Sequence, residues 1–267
     1  IGTQEKYIVY PSVEELKYIH FSIDDTIEIF KDLTEKKYSS IFQNDTLKFL
    51  KEIHDLYGAR FTFYCFYEYN SYCLKDASDR YREEFEGNSD WLKFGFHALN
   101  STVNYEEVST EQIKKDYELV IGELKRIVGE KSLASYIRLE KFICNEENVK
   151  QLKREGVVGL LGSDTQDRKN YFLNNEQNEQ LNKNGNLYQI LQFLKTDIRL
   201  ERMNIKDVQK DLQEDREVIA FTHEWILYKT EVRKNLEELC KIAVENHFVF
   251  EYPEKIRGIY EKDTINY

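Results

Sequence analysis

The sequence predicts an α/β fold, a closed or nearly closed (β/α) barrel of about seven parallel strands. Three observations carry that expectation. Apolar, strand-like runs alternate with amphipathic helical stretches along the chain, the pattern of successive parallel βα units. The runs are almost continuously apolar, as in a sheet covered on both faces. Their number suits a closed or nearly closed barrel better than a small open sheet.

The elements follow in order. Residues 18–24 form the first strand, and helical patterns follow over 27–35 and 45–57. In the second helix Leu47, Leu50, Ile53 and Tyr57 recur at helical spacing, and Gly58 ends it. Arg60 to Tyr67 is aromatic and β-prone, with Glu68 at its end. A polar helical stretch is expected over 72–86. Leu92 to Phe96 is the third strand, ending at His97. Ser109-Thr110-Glu111-Gln112 reads as a capping box. It opens a helix carrying Ile113, Tyr117, Val120, Ile121, Leu124 and Val128 on one face, closed by Gly129. Ser135 to Phe142 is the fourth strand. Asn145 caps a short helix ending at Gly156. Val157 to Ser163 is the fifth strand, and Val218 to Thr222 is another. Thr230 caps a helix through Asn246, and His247 to Tyr252 is the last strand. The segment 165–217 breaks the pattern. Its Asn/Gln-rich centre (Asn174 to Asn186) reads as polar loop or hairpin, and the whole segment as an insertion bordering the site. Ile-Arg-Leu-Glu occurs at both 137–140 and 198–201, without further similarity around it, and is read as coincidence.

A chain of 267 residues with 41% hydrophobic content supports one domain spanning 1–267. Two prolines and eleven glycines argue against disorder. The net charge of −11, without blocks of like charge, disfavours nucleic acid and anionic membrane as partners, because both select a basic face. Nineteen Tyr and sixteen Phe are chiefly core material, and some suit stacking on sugars. Cys65, Cys73, Cys144 and Cys240 form no C-x-x-C pair and read as reduced, mostly buried thiols. There is no 18-residue apolar run, and Ile-Gly-Thr-Gln-Glu-Lys at the start lacks a leader's apolar segment. These features point to a cytoplasmic setting with no membrane insertion.

The chemistry lies at strand ends. The strands at 18–24, 92–96, 157–163 and 218–222 end in Asp24-Asp25, His97, Asp164 and His223. Parallel α/β barrels build their sites at the C-terminal ends of strands. Any one of these residues has a structural explanation, and Asp25-Thr26 could simply cap a helix. Four together point to metal-assisted hydrolysis. Asp25 and His97 are then ligands, Asp24 the base and His223 the acid. His20, His54 and His247 read as structural, and Glu224 as a residue on the approach to a helix.

The order of Phe-Ser-Ile-Asp-Asp, Gly-Phe-His-Ala-Leu-Asn-Ser, Tyr-Ile-Arg-Leu-Glu, Leu-Leu-Gly-Ser-Asp and Ile-Ala-Phe-Thr-His-Glu-Trp resembles the polysaccharide deacetylase superfamily (NodB homology, carbohydrate esterase family 4) over about residues 18–225. The resemblance implies a distorted seven-stranded (β/α) barrel and metal-dependent removal of acetyl groups from N-acetylated sugars. By position, Asp24 resembles the base and Asp25 the metal-binding aspartate. His97 resembles the first histidine of the family's H-x-x-x-H motif. Arg138 resembles the arginine that orients the base, Asp164 the aspartate supporting the acid, with Asp167 as its competitor, and His223 the acid. Trp225 is expected to line the acetyl or sugar pocket. The implied cofactor is a divalent metal, zinc first, with cobalt, nickel, manganese or iron as alternatives, and the implied partner is a carbohydrate substrate. One departure matters: Ser101 stands where the motif has its second histidine, and serine is a poor zinc ligand. His223, Glu140 and Glu68 are candidates for the third ligand. Asp197 and Arg199 could also reach the crevice. The alternative is a catalytically inactive barrel that binds a glycan or another partner. Glycoside hydrolysis by paired carboxylates is a third reading.

Overall fold

The computed structural model describes residues 16–214 and 217–256. The N-terminal stretch read above for a leader lies outside them. The chain begins with β1 (Lys17–Thr26), α1 (Glu28–Lys36) and α2 (Asp45–Tyr57). Asn44 caps α2 through its side chain, and Gly58 closes it at φ +76, a left-handed conformation that glycine adopts without a Cβ penalty. Next come β2 (Phe61–Phe66), a hairpin of β3 (Glu68–Tyr69) and β4 (Tyr72–Cys73), α3 (Arg82–Gly87) and β5 (Leu92–Ala98). Then follow α4 (Thr110–Val128), β6 (Tyr136–Ile137), α5 (Glu146–Arg154), β7 (Gly159–Leu161) and α6 (Asn175–Asn184). The chain ends with β8 (Asn186–Tyr188), β9 (Gln192–Leu194), β10 (Ile198–Arg199), α7 (Ile205–Glu214), β11 (Glu217–His223), α8 (Thr230–Glu245) and β12 (Phe248–Phe250).

The sheet is parallel around β1. One edge of β1 pairs with β11 along Tyr18 to Asp24. The other edge is shared: β12 pairs with Lys17 to Ile19, and β2 pairs from Phe21 upward. β5 continues beyond β2, and β10 beyond β11. A second sheet runs β6-β7-β9-β8, with only β8 antiparallel. Two seams join the sheets into a seven-stranded ring in which β9 and β10 form one bent strand. At one seam the Ala134 N–H donates to the Phe94 carbonyl (2.8 Å), beside a lone bridge between Phe94 and Leu133. At the other, the Asp197 N–H donates to the Ile219 carbonyl (2.8 Å). Burial explains the apolar strands: every residue of β2 is buried, as are Ile19, Phe21 and Ile23 of β1.

Four expectations differ from the structure. The helix expected over 72–86 is a hairpin, a 3-10 turn at Leu74–Asp76 and the short α3. Leu74, Ala77, Tyr81 and Phe85 do bury themselves, so the periodicity was real but is met by two short pieces. The strand expected over 135–142 stops at Ile137, because the Arg138 carbonyl accepts from a histidine instead of a neighbouring strand. The Asn/Gln-rich centre of 165–217 is helical: Asn174 and Gln177 form a capping box at the start of α6. The same segment also supplies β9 and β10 to the barrel wall, so only part of it is additional to the ring.

Candidate active site

Asp24 and Asp25 sit on a kink. β1 advances three residues from Ile23 to Thr26 while β2 advances only from Phe63 to Cys65. One residue of β1 is therefore extra, and Asp25 takes φ +60. On β5, His97 is likewise the extra residue between Phe96 and Ala98, which pair with Cys65 and Phe66. Bulges of this kind re-aim side chains beside active sites. Here they turn both residues toward the C-terminal mouth of the barrel.

Three ligand atoms converge there. His97 Nε2 lies 3.3 Å from Asp25 Oδ1 and 3.2 Å from Glu140 Oε2. The three groups offer ligand atoms within 4.8 Å of one another. Ligands about 2.0–2.2 Å from a tetrahedral zinc are roughly 3.3–3.5 Å apart, so the donor set fits a divalent cation. Each ligand is also held from behind. His97 Nδ1 donates to the Arg138 carbonyl (2.5 Å), which leaves Nε2 to face the carboxylates, as a donor to them or, without its proton, as a metal ligand. Trp225 Nε1 donates to Asp25 Oδ2 (2.8 Å). Glu140 opens the 3-10 turn that follows β6, with Lys141 and Phe142 both at positive φ. The Lys141 ammonium lies 3.7 Å from Glu140 Oε1 and donates to the Ser101 carbonyl (2.5 Å). Burial works against a charged His97, but its hydrogen bonds to Asp25 and Glu140 outweigh it and push its pKa up to about 10. Burial also opposes charge on Asp25, and the His97 hydrogen bond leads the effects that hold its pKa below the usual carboxylate range.

The base candidate is gripped by a fully buried guanidinium. Arg138 Nη1 reaches both Asp24 oxygens at 3.1 Å and donates to Ser22 Oγ (2.8 Å). Nη2 donates to Thr196 Oγ1 (2.7 Å), which passes a hydrogen bond to the Gly162 carbonyl. The Phe221 ring lies 4.6 Å from the guanidinium.

On the opposite side stands His223, at the end of β11. Its Nδ1 donates to Glu201 Oε1 (2.7 Å), and its backbone N–H donates to the same oxygen (3.2 Å). Nε2 is therefore the nitrogen left to handle a substrate proton. Burial opposes charge on Glu201, but the His223 hydrogen bond leads the effects that hold its pKa below the usual range. Arg199 Nε stands 3.5 Å from the second Glu201 oxygen. This corrects the expectation for Asp164. Asp164 is half-buried in the loop after β7, and the oxygen that meets His223 comes from Glu201 instead. Asp167 is exposed. Glu68 accepts from Asn100 (2.9 Å) and stands outside the ligand cluster. Asp197 accepts the Ile219 N–H within the sheet seam.

Glu224 is the residue of least expected importance that the structure makes structural. It is buried, and its two oxygens accept the N–H groups of Ile27, Glu28 and Ile29 at 2.7–2.9 Å. It thus caps α1 from the 3-10 turn that follows β11. Burial outweighs those three hydrogen bonds and pushes its pKa up to about 7. The three remaining histidines are structural. His20 Nδ1 meets the Glu251 carbonyl in the barrel wall (2.9 Å). His54 Nδ1 meets the Ala59 carbonyl (2.9 Å), and its ring stacks on Trp91. His247, at φ +64, precedes β12.

Sequence reasoning passed over Glu201, yet a signal for it existed. Both Ile-Arg-Leu-Glu segments leave a two-residue strand, at Ile137 and at Arg199, and place their Glu in the 3-10 turn that follows. Each Glu then meets a site histidine: Glu140 meets His97 and Glu201 meets His223.

No protein-family model matches the sequence, and no curated protein does. Solved structures resemble it in fold. A family 4 acetyl xylan esterase from Clostridium thermocellum, in complex with a cobalt ion, superposes with a TM-score of 0.52 at 11% identity, over 88% of this chain and 87% of that one. A family 4 carbohydrate esterase from Streptomyces lividans, in complex with acetate, gives 0.51 at 7% identity, over 88% and 92%. At such low identity the likeness concerns architecture. The chain has the fold of the family 4 carbohydrate esterases.

Proposed function

We propose that the protein is a metal-dependent hydrolase that removes an acetyl group from an N-acetylated carbohydrate. The observation that carries this reading is the convergence of Asp25, His97 and Glu140, with Arg138-bound Asp24 on one side and Glu201-bound His223 on the other. In this reading Glu140 supplies the ligand that Ser101 lacks. A divalent metal at those three residues supplies a Lewis acid for the amide carbonyl and lowers the pKa of a nucleophilic water. Asp24, held by Arg138 Nη1, takes the proton from the attacking water. His223 Nε2 delivers a proton to the departing sugar nitrogen, while Glu201 fixes its tautomer and balances the charge it carries. Trp225 orients Asp25 through Nε1 and, at 52% exposed, offers its face to the substrate at the mouth. The two solved relatives, one titled an acetyl xylan esterase and one bound to acetate, favour acetyl removal over glycoside cleavage on the same barrel.

The test combines metal titration with acetate release. Protein loaded with zinc, cobalt, nickel, manganese or iron is expected to bind one ion per chain and to release acetate from N-acetylated oligosaccharides. Asp24→Asn is expected to keep the metal and lower kcat by about 10²-fold or more. Glu140→Ala is expected to lose the metal and the activity together. Metal bound without acetate release under any of the five ions would sink the hydrolase reading and leave an inactive, glycan-binding barrel.

A further inference from the structure

Glu140 is presented by an unfavourable stretch of backbone. The two residues after it, Lys141 and Phe142, take left-handed conformations in succession, at φ +59 and +58. Residues with a Cβ adopt that region at a cost, so two in a row persist only where their surroundings fix them. A turn free to relax would no longer hold the Glu140 carboxylate at His97. What fixes it is the loop between β7 and α6, residues 162–174, which the proposed chemistry leaves unused.

That loop grips both carbonyls of the turn. The Arg168 guanidinium donates to the Lys141 carbonyl (3.0 Å) and lies over the Phe142 ring, 4.9 Å from its centroid. The Tyr171 N–H donates to the Phe142 carbonyl (2.7 Å). Tyr171 is itself left-handed, at φ +56, and its hydroxyl is pinned to the Leu161 carbonyl (2.6 Å). Next to it, buried Asn170 accepts the Ser163 N–H (2.6 Å). The Asn170 backbone N–H and side-chain amide both donate to Oδ1 of buried Asn178 in α6 (3.0 and 3.1 Å). Asn178 Nδ2 donates in turn to the Leu173 carbonyl (3.3 Å). A buried polar network whose groups are satisfied rigidifies what it joins. On the opposite flank the Lys141 ammonium donates to the Ser101 carbonyl. Position 101, where the resemblance expects a ligand, thus gives a backbone oxygen to the turn that presents Glu140.

We infer that the β7–α6 loop is a brace for the ligand Glu140, with Arg168 and Tyr171 as positioning residues. The Asn-rich segment then sets how tightly an ion is held, although it touches no ligand atom. Partners that orient a ligand from behind contribute about 10- to 100-fold to metal affinity. The brace rests on the metal site of the proposed hydrolase, but not on the identity of its substrate.

The test is competition between the whole chain and a chromophoric chelator for zinc, together with the visible absorption spectrum of the cobalt-loaded protein. Arg168→Ala is expected to lower zinc affinity by about 10-fold and to change the cobalt bands, because one carboxylate ligand loosens. Arg168 is exposed, so the midpoint of denaturant unfolding without metal is expected to stay that of the wild type. Arg168→Lys keeps a cation for the Lys141 carbonyl and the Phe142 ring, and is expected to restore most of the affinity. Unchanged zinc affinity in Arg168→Ala would overturn the brace. So would a loss accompanied by a lower metal-free midpoint, which assigns the effect to folding. Failure of the wild type to bind zinc or cobalt would overturn the metal site and the brace together. Zinc affinity that follows Arg168, without acetate release from N-acetylated oligosaccharides, would overturn the deacetylase reading and leave the brace standing.

Discussion

At the scale of single residues, the acid candidate depends on a partner that strand-end reasoning did not supply. Glu201 meets both the ring and the backbone of His223, whereas Asp164 is half-buried in another loop. Glu201→Gln removes the charge that balances a protonated imidazole and lets the amide present either a donor or an acceptor to Nδ1. It is expected to lower kcat by about 10²-fold, with KM little changed. Asp164→Asn is expected to leave kcat within about twofold of wild type, because it disturbs no contact to a site histidine. Steady-state kinetics on the two variants decide between them, and the reverse pattern would restore Asp164 to the supporting role. The placing of Asp24, Asp25, His97 and His223 at strand ends was legible in the sequence because each ends or follows a strongly apolar run, whereas Arg138 entered through the resemblance of its segment to the family's. Glu140 was one of three candidates for an open ligand position, and only the kinked turn after Ile137 singles it out. Glu201 escaped because β10 is two residues long and lies in a stretch whose strand and helix signals are mixed.

At the scale of elements, the helix that follows Asp25 starts without a local cap. Ile27 offers no side-chain oxygen, and three N–H groups at the start of α1 find their acceptors on Glu224. The cap therefore ties β11 to α1 across β1 and fixes the exit of the strand that carries Asp24 and Asp25. Glu224→Ala leaves those donors without a protein acceptor at a buried helix start. It is expected to cost about 1–3 kcal/mol, read as a lower midpoint in denaturant unfolding with an unchanged slope. An unchanged midpoint would show that water replaces the carboxylate without penalty. The long helices were readable because their caps and their apolar stripes agree, as in α2 and α4, where Asn44 and Ser109 cap through their side chains. The 72–86 stretch misled because helical spacing was met by two separate short elements that follow a hairpin.

At the scale of the whole molecule, the barrel carries an acid-sensitive group in its wall. His20 is fully buried, and burial, with the nearby Arg138 charge in support, lowers its pKa from 6.5 to about 3. The unfolded chain therefore binds a proton at His20 between about pH 6.5 and pH 3 that the folded chain refuses. Stability is expected to fall as pH drops through that window, by roughly 1.4 kcal/mol per pH unit from this group. His20→Gln, which keeps a donor for the Glu251 carbonyl, is expected to flatten the acid limb of a plot of unfolding free energy against pH. An equally steep limb in the variant would assign the slope to carboxylates elsewhere. The ring itself has a thin place. β1, β2 and β5 are joined by ladders that each carry one bulge, but the backbone of β5 meets the β6 side through one bridge and one neighbouring hydrogen bond, with the His97 ring bonded to the Arg138 carbonyl beside them. His97 and Glu140 stand on either side of that gap. An ion bound as proposed between them and Asp25 would act as a clasp on the barrel, so its removal should loosen the ring itself. Hydrogen exchange is expected to quicken around residues 133–142 when the ion is stripped, while α2 and α8 stay protected. Uniform quickening, or none, would mean that the barrel closes without help from an ion at that site.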